Sequence, residues 1–255
     1  MMKAASILMG LAVLGLVVGT AEAALVAGGS FESPDIADGT DDVIDATGQT
    51  WSDGWSSYDN NKSVAYGAGR EDPSTDKTGQ TGDQYAKMVF AYTTSLDQWV
   101  KIESPSLGTA AAGYTYTFKV DMSWDSQYAS GTQPGLTTIY GTSDKWALYI
   151  NDQEFVRNHP SLTKNTFSET SIEVVLDASG NLLSTDADSA PSVGTALAGG
   201  DIYALLTAGR LRSTGGNGST YMLWDNARFD AVPEPAALGL LAVGGVGMLL
   251  RRRRR

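Results

Sequence analysis

Large apolar residues alternate with polar residues along much of the chain between residues 24 and 230. The longest alternating run is Tyr114–Trp124, in which every even position is large and apolar and every odd position is polar. A period of two sends successive side chains to opposite faces of a β-strand. The run therefore predicts a strand with one face in a core and the other in water.

Shorter runs of the same kind predict further strands, and turn-forming clusters such as Asn151-Asp152 and Asp177–Asn181 separate many of them. No helical periodicity longer than about two turns occurs in this part of the chain. About eight to ten strands of this kind are typical of two packed antiparallel sheets, so the sequence predicts an all-β sandwich. The other predicted strands are Leu25–Val26, Val64–Tyr66, Tyr85–Tyr92, Leu96–Glu103, Trp146–Val156, Ser168–Leu176, Asp201–Thr207 and Tyr221–Phe229.

Two stretches, Ser33–Asp59 and Ser184–Gly200, lack the strand pattern. We predict long loops there, and long loops at the ends of a sandwich are usual places for binding surfaces.

The N-terminus has a different pattern from the body. Lys3 precedes the apolar run Ala4–Gly19, in which Ser6 is the only polar side chain, and the small residues Ala21 and Ala23 follow. This order predicts a signal peptide over residues 1–23 that signal peptidase removes. An uncleaved anchor is the alternative, but the sixteen-residue run is short for a membrane span.

The C-terminus carries fifteen uncharged residues, Ala236–Leu250, followed by five arginines. As a helix this segment would span about 22 Å, against a hydrocarbon core of roughly 30 Å. Four of the fifteen residues are glycine, which weakens membrane insertion further. The sequence predicts a transmembrane segment over residues 236–250 that is marginal as a permanent anchor, with the arginines in the cytoplasm and the body outside.

Charge and composition exclude several functions for the body. Residues 24–230 hold 12 basic and 27 acidic side chains, a net charge of about −15, with no cluster of lysine or arginine. Nucleic acid and anionic lipid are therefore not expected partners. The chain has no cysteine, so neither a disulfide nor a catalytic thiolate is available.

No catalytic motif is present. His159 is the only histidine, and a lone imidazole without cysteine makes neither a zinc site nor a triad by itself. The nucleophile elbow, the metalloprotease helix and the nucleotide-binding glycine loops are all missing. We expect a protein that is not an enzyme. The alternative is a catalytic pair of carboxylates like that of glycoside hydrolases, because the distance between two carboxylates in the folded protein cannot be read from a sequence.

The two ends of the body resemble those of galactose-binding-like jelly-roll domains. Gly29-Ser30-Phe31-Glu32 is similar to their opening strand, Trp224–Asp230 to their last strand, and Gln98–Phe118 to the strand pair between. The resemblance implies a jelly-roll β-sandwich in which Glu32 and Asp225 approach one another and share a structural calcium, an ion that takes several hard oxygen ligands. The alternative is that both are solvated acids at strand ends.

Three aromatic residues, Trp51, Trp55 and Tyr58, stand among small and amide-bearing residues. This composition suits a surface on which a sugar ring stacks while neighbouring groups bond its hydroxyls. The alternative, strongest for Trp55, is that the ring packs inside the sandwich.

Val232, Pro233, Glu234 and Pro235, with the short apolar span and the terminal arginines, resemble the PEP-CTERM sorting signal of Gram-negative bacteria. The resemblance implies that an exosortase-type membrane protease recognises the Pro-Glu-Pro segment, removes the tail and releases or attaches the body at the cell surface, often alongside exopolysaccharide production. A short anchor retained for good is the alternative.

The sequence therefore predicts three parts: a signal peptide over residues 1–23, a β-sandwich over residues 24–230 and a sorting signal over residues 231–255. The first hypothesis for function is an exported, non-catalytic protein that binds extracellular polysaccharide or matrix. The second is a purely structural or adhesive surface protein, and the third is a hydrolase of glycans.

Overall fold

A computed structural model describes twelve ranges of the chain: 24–27, 29–31, 40–41, 49–50, 54–59, 66–73, 77–82, 84–90, 98–126, 145–158, 162–210 and 220–234. Every regular element within these ranges is a β-strand. In chain order they are β1 (Ala24–Leu25), β2 (Thr40–Asp41), β3 (Gln49–Thr50), β4 (Ser56–Asp59), β5 (Tyr66–Asp72), β6 (Tyr85–Phe90), β7 (Gln98–Glu103), β8 (Gly108–Thr109), β9 (Tyr114–Ser126), β10 (Lys145–Ile150), β11 (Gln153–Asn158), β12 (Ser168–Leu176), β13 (Leu182–Thr185), β14 (Asp201–Arg210) and β15 (Thr220–Pro233).

The strands form two antiparallel sheets. Sheet 1 has the order β13-β12-β9-β15-β6-β5-β2, with β1 also pairing with β15. Sheet 2 has the order β11-β10-β14-β7-β4-β3, with β8 also pairing with β14. The chain crosses repeatedly between the sheets, for instance from β6 to β7 and from β9 to β10, as it does in jelly-roll sandwiches. The predicted all-β antiparallel sandwich is confirmed.

The core lies between the two sheets, and the long alternating run of the sequence forms its centre. In β9 the even positions Tyr116, Phe118 and Met122 are at most 2% exposed, whereas the odd positions face the other side of sheet 1. From sheet 2, Trp146 meets Phe118 with the ring centroids 5.6 Å apart. The alternation thus buries the face of β9 that the sequence predicts to be buried.

The predicted run over residues 146–156 consists of two strands that a two-residue turn joins. Asn151 and Asp152 both have positive φ angles, 52° and 58°, and Ile150 pairs with Gln153 on either side of them. A turn with two such residues matches the twist of the flanking strands, and asparagine and aspartate adopt this conformation more readily than most residues.

The structure differs from the sequence prediction over residues 33–59, where β2, β3 and β4 are found. These strands are short and rich in small polar residues, so no alternation marks them in the sequence. The second predicted loop, residues 184–200, is largely a loop beyond the end of β13. It is tied to the sandwich by backbone hydrogen bonds, among them Val156 N–H to Ser189 O at 2.8 Å.

A second, smaller apolar cluster lies on the outer face of sheet 1. It consists of Tyr85, Leu223 and Phe167, and the backbone N–H of Phe167 donates to Thr78 O at 2.8 Å. The segments around residues 77–82 and 162–167 therefore cover this part of the sheet.

Among the residues that the structure describes, no helix is long and apolar enough to cross a membrane. The predicted signal peptide and the predicted span over residues 236–250 lie outside those residues. The last strand, β15, continues through Pro233 and so passes the predicted end of the body at residue 230.

Candidate functional site

The sorting motif begins inside the folded body. Val232 pairs with Thr115 and Pro233 pairs with Tyr114 at the end of the β15–β9 ladder. Beyond the ladder, the N–H of Glu234 donates to the carbonyl oxygen of Gly113 at 2.7 Å, and the Thr115 hydroxyl donates to the Glu234 carboxylate. Three of the four predicted motif residues are thus held against β9, and Pro235 lies outside the described residues.

Trp55 lies in the core and is 0% exposed. Its ring centroid is 5.1 Å from that of Phe31, and its indole N–H donates to Ala27 O at 3.0 Å. A ring buried in this way offers no face to a sugar, so the structure favours the alternative in which Trp55 packs inside the sandwich. Trp51 lies outside the described residues, and Tyr58 belongs to β4.

The opening segment lies beside the closing strand, as the resemblance implies. Val26 N–H donates to Ala227 O at 2.9 Å, and Ala227 N–H donates to Gly29 O at 2.8 Å. A Cβ at Gly29 would lie 2.4 Å from Ala227 O, so this close approach of two backbones requires glycine. Glu32, which follows one residue after Phe31, is outside the described residues.

Asp225 is fully buried, at 0% exposure. One carboxylate oxygen accepts the backbone N–H of Thr81 and the other accepts that of Asn226, both at 2.7 Å. Asn226 has a φ of 50° and lies in a bulge where the β15–β9 register shifts. The carboxylate therefore joins the segment that covers sheet 1 to the bulge in its central strand.

The predicted calcium site is only partly within the described residues. Asp121, opposite Asp225 in the ladder, accepts hydrogen bonds from Asn226 and Arg228, and burial raises its pKa against the effect of both partners. No group of three or more potential metal ligands among histidine, cysteine, aspartate and glutamate occurs in the described parts of the chain. The calcium hypothesis pairs Asp225 with Glu32, and Glu32 lies outside the described residues.

An aromatic pair that is not among the predicted site residues lies on the outer face of sheet 2. Tyr149 of β10 is directly opposite Tyr203 of β14, and their rings are parallel within 5° with centroids 4.8 Å apart. Their neighbours Ile150, Ile202 and Ala204 point into the core, so the two tyrosines point away from it. Both rings are half-buried, which leaves part of the stack open to solvent.

Carboxylates flank the tyrosine pair. The Tyr149 hydroxyl donates to Glu154 of β11 at 2.7 Å, and Glu103 of β7 lies opposite Leu205, two residues along β14 from Tyr203. Burial raises the pKa of both tyrosines, and the negative charge of nearby glutamates raises it further. Both hydroxyls therefore stay protonated at neutral pH and act as donors, while the carboxylates act as acceptors.

Burial also raises the pKa of Glu103, against the opposing charge of Lys101. Lys101 of β7 is opposite both Thr207 of β14 and Tyr58 of β4, and Thr207 lies four residues along β14 from Tyr203, about 13 Å away. Tyr58, for which the sequence predicts sugar contact, belongs to the same sheet as the Tyr149–Tyr203 pair, two strands away from β14. The outer face of sheet 2, from Glu154 to Lys101, is the candidate site.

Residues 231–255 match the PEP-CTERM protein-sorting motif. The predicted sorting signal is confirmed, and it indicates an exported protein that is sorted to the cell envelope or surface and implies processing by an exosortase. A comparison with curated protein sequences gives no match.

The chain is similar to several solved structures at low identity. A cyclase from Fischerella sp. TAU is 15% identical, with a TM-score of 0.45. The match covers 84% of this chain and 99% of the cyclase. A carbohydrate-binding module of the β-sandwich superfamily is 11% identical, with a TM-score of 0.35 and coverages of 73% and 62%. The family 11 carbohydrate-binding module of a cellulosomal cellulase of Clostridium thermocellum is 11% identical, with a TM-score of 0.31 and coverages of 75% and 95%.

Proposed function

We propose that the exported body is a non-catalytic β-sandwich that binds extracellular polysaccharide through the outer face of sheet 2. The observation that supports this most is the parallel stack of Tyr149 and Tyr203 at outward positions of two central strands. Aromatic rings on the outer face are not needed to fill the core, which Trp146, Leu148 and Ile202 fill from the same strands.

The chemistry of the face suits a sugar chain. A pyranose ring has an apolar C–H surface that packs on an aromatic ring, and its hydroxyls bond carboxylates and tyrosine hydroxyls. Tyr149, Tyr203, Glu154 and Glu103 provide both kinds of group within neighbouring strands. The site extends over four adjacent strands, from β11 to β7, which span about 14 Å and suit an extended polymer better than a single small molecule.

Charge narrows the polysaccharide class. The body carries a net charge of about −15, and two glutamates flank the aromatic pair. A strongly acidic polymer would be repelled by this face, because like charges brought together oppose association. The proposed ligand is therefore a neutral or amine-bearing polysaccharide.

A structural role is the competing explanation for the tyrosine pair. Cross-strand aromatic pairs stabilise sheets by about 0.2–1 kcal/mol even when they bind nothing. A purely structural or adhesive surface protein would keep the pair for that reason alone. A binding measurement on a variant that stays folded separates the two functions.

Substitution of Tyr149 by alanine is expected to weaken polysaccharide binding about tenfold, because a stacking surface worth about 1.4 kcal/mol is lost. The full chain and the variant are compared by affinity electrophoresis in gels that contain neutral, amine-bearing or acidic polysaccharides. Tyr114→Ala is the matched control, since Tyr114 is also half-buried and stacked, but in sheet 1 against Tyr116. Retardation by no polysaccharide, or equal retardation of both variants, would refute the proposal.

The calcium hypothesis is retained as a second part of the proposal. Its support is that the opening segment, which leads to Glu32, lies against β15 next to the buried Asp225. A calcium ion held there would join the first and last strands of the body.

We also propose that the protein belongs to a Gram-negative-type bacterium, in which the tail is removed and the body is released or attached at the cell surface.

A further inference from the structure

The sorting motif and the folded body share residues. β15 enters the centre of sheet 1 and leaves it as Val232 and Pro233, which are already part of the match to the sorting motif. We propose that β9 is a docking site for the motif of its own chain, and that the motif must leave β9 before the processing protease can bind it. This inference is independent of the proposed polysaccharide binding.

Backbone pairing holds the motif along its first three residues. Successive N–H groups of a strand point to opposite edges. Since the N–H of Glu234 donates to Gly113 beside β9, the nitrogen of Pro233 faces the other edge. On that edge no strand among the described residues pairs with β15 beyond Phe229. Proline, which lacks an N–H, is therefore compatible with the ladder, and its presence does not end the pairing early.

A side-chain contact adds to the backbone pairing at the glutamate of the motif. The Thr115 hydroxyl donates to the Glu234 carboxylate, and both residues are half-buried. A hydrogen bond to an ionised group is stronger than one between neutral groups. Thr115 also pairs with Val232 through the backbone, so this one residue contacts two positions of the motif.

The docking site is part of a firmly packed region. Gly113 is buried, and its N–H donates to Asp177 O at 2.8 Å in the turn after β12. Tyr116 of β9 stacks on Phe229 of β15 with centroids 6.0 Å apart, and its hydroxyl donates to Ala111 O at 3.2 Å. The motif is thus held by a fixed surface.

Pairing with β9 and binding to a protease exclude each other. Peptide-binding sites commonly hold an extended segment through the same backbone N–H and C=O groups that a sheet uses. On the side that faces β9, Val232 pairs with Thr115 and the N–H of Glu234 donates to Gly113 O. The end of a strand opens at a lower free-energy cost than the core. The motif therefore detaches from β9 from Val232 onwards before processing, while the rest of the body stays folded.

Removal of the Thr115 hydroxyl tests the inference. In Thr115→Val the shape is kept and the bond to Glu234 is lost, so the detached form is expected to be more populated and processing to be faster by roughly threefold or more. Thr117→Val is the matched control, because Thr117 is a half-buried neighbour on the same strand that pairs with Asp230, before the motif. Thr115→Ser restores a hydroxyl and is expected to restore the native rate.

The measurement is a pulse-chase of the full chain in its native cell, in which precursor and processed forms are separated by mass. Hydrogen exchange of the full-length precursor provides a second readout: the amides of Val232 and Glu234 are expected to exchange faster in Thr115→Val, while those of β10 are unchanged. Equal or slower processing of Thr115→Val, or equal acceleration by Thr117→Val, would overturn the inference. Unchanged exchange at Val232 and Glu234 would overturn it as well.

Discussion

Replacing Trp55 by alanine is expected to lower the free energy of unfolding by about 3–5 kcal/mol, the range for large aromatic residues removed from a core. The side chain is 0% exposed, and the cavity would open beside Phe31. The substitution also leaves the carbonyl oxygen of Ala27 without its indole donor. Both effects act on the packing between the opening segment and sheet 2, so we expect a large loss of stability.

Urea unfolding followed by far-ultraviolet circular dichroism measures this loss without using tryptophan fluorescence. Trp55→Phe serves as the comparison, because it keeps a ring in the site and removes the hydrogen bond, and it is expected to cost less. A loss below about 1 kcal/mol for Trp55→Ala, together with weaker polysaccharide binding, would show that Trp55 acts at a surface instead.

Replacing Asp225 by alanine is expected to lower the free energy of unfolding by about 3 kcal/mol, because two backbone N–H groups lose a charged acceptor that is fully buried. These are the amides of Thr81 and Asn226, each 2.7 Å from a carboxylate oxygen. Thermal unfolding of the native chain and of Asp225→Ala, with calcium and with a chelator, also tests the calcium hypothesis. A metal bound only by the folded state raises the melting temperature.

The two roles of Asp225 give different results. If calcium binds there, the native protein is stabilised by the metal, and both Glu32→Ala and Asp225→Ala abolish that gain. If the carboxylate only joins the two segments, Asp225→Ala costs the same with and without calcium. If calcium does not raise the melting temperature of the native protein, the calcium hypothesis is wrong. A loss of unfolding free energy well below about 1 kcal/mol in Asp225→Ala would contradict the structural role.

The strands that the sequence predicts well are those whose alternation is long and uninterrupted. Ser168–Leu176 has the predicted bounds, and Tyr114–Trp124 is extended by only two residues, to Ser126. In both strands, apolar residues recur at enough alternate positions to determine which side is buried. β4, over Ser56–Asp59, has no such pattern, and its place in sheet 2 depends on pairing with β7, which no local signal encodes.

The candidate site was only partly predictable. Trp146, Leu148 and Ile150 alternate in the sequence and so share one face of a strand, which makes Tyr149 between them recognisable as an aromatic residue on the opposite face. Its stacking on Tyr203 depends on the register of two strands far apart in the chain, which the alternation within each strand does not specify.

The burial of Asp225 was likewise not visible in the sequence. The predicted alternatives were a calcium ligand or a solvated acid at a strand end. The carboxylate is not solvated, because it lies buried beneath a covering segment that contributes the Thr81 amide, and the packing of that segment on sheet 1 is a long-range contact.

Stacking of sugar on the Tyr149–Tyr203 pair is the central claim, and a pair of substitutions at Tyr203 tests it most directly. The affinity of the preferred polysaccharide, as a soluble oligosaccharide, is measured by titration calorimetry for the native chain, Tyr203→Phe and Tyr203→Ala. Phenylalanine keeps the ring and is expected to keep most of the affinity, whereas alanine removes the ring and is expected to weaken binding about tenfold. Equal affinity of Tyr203→Ala and the native chain, or equal losses in both variants, would contradict it.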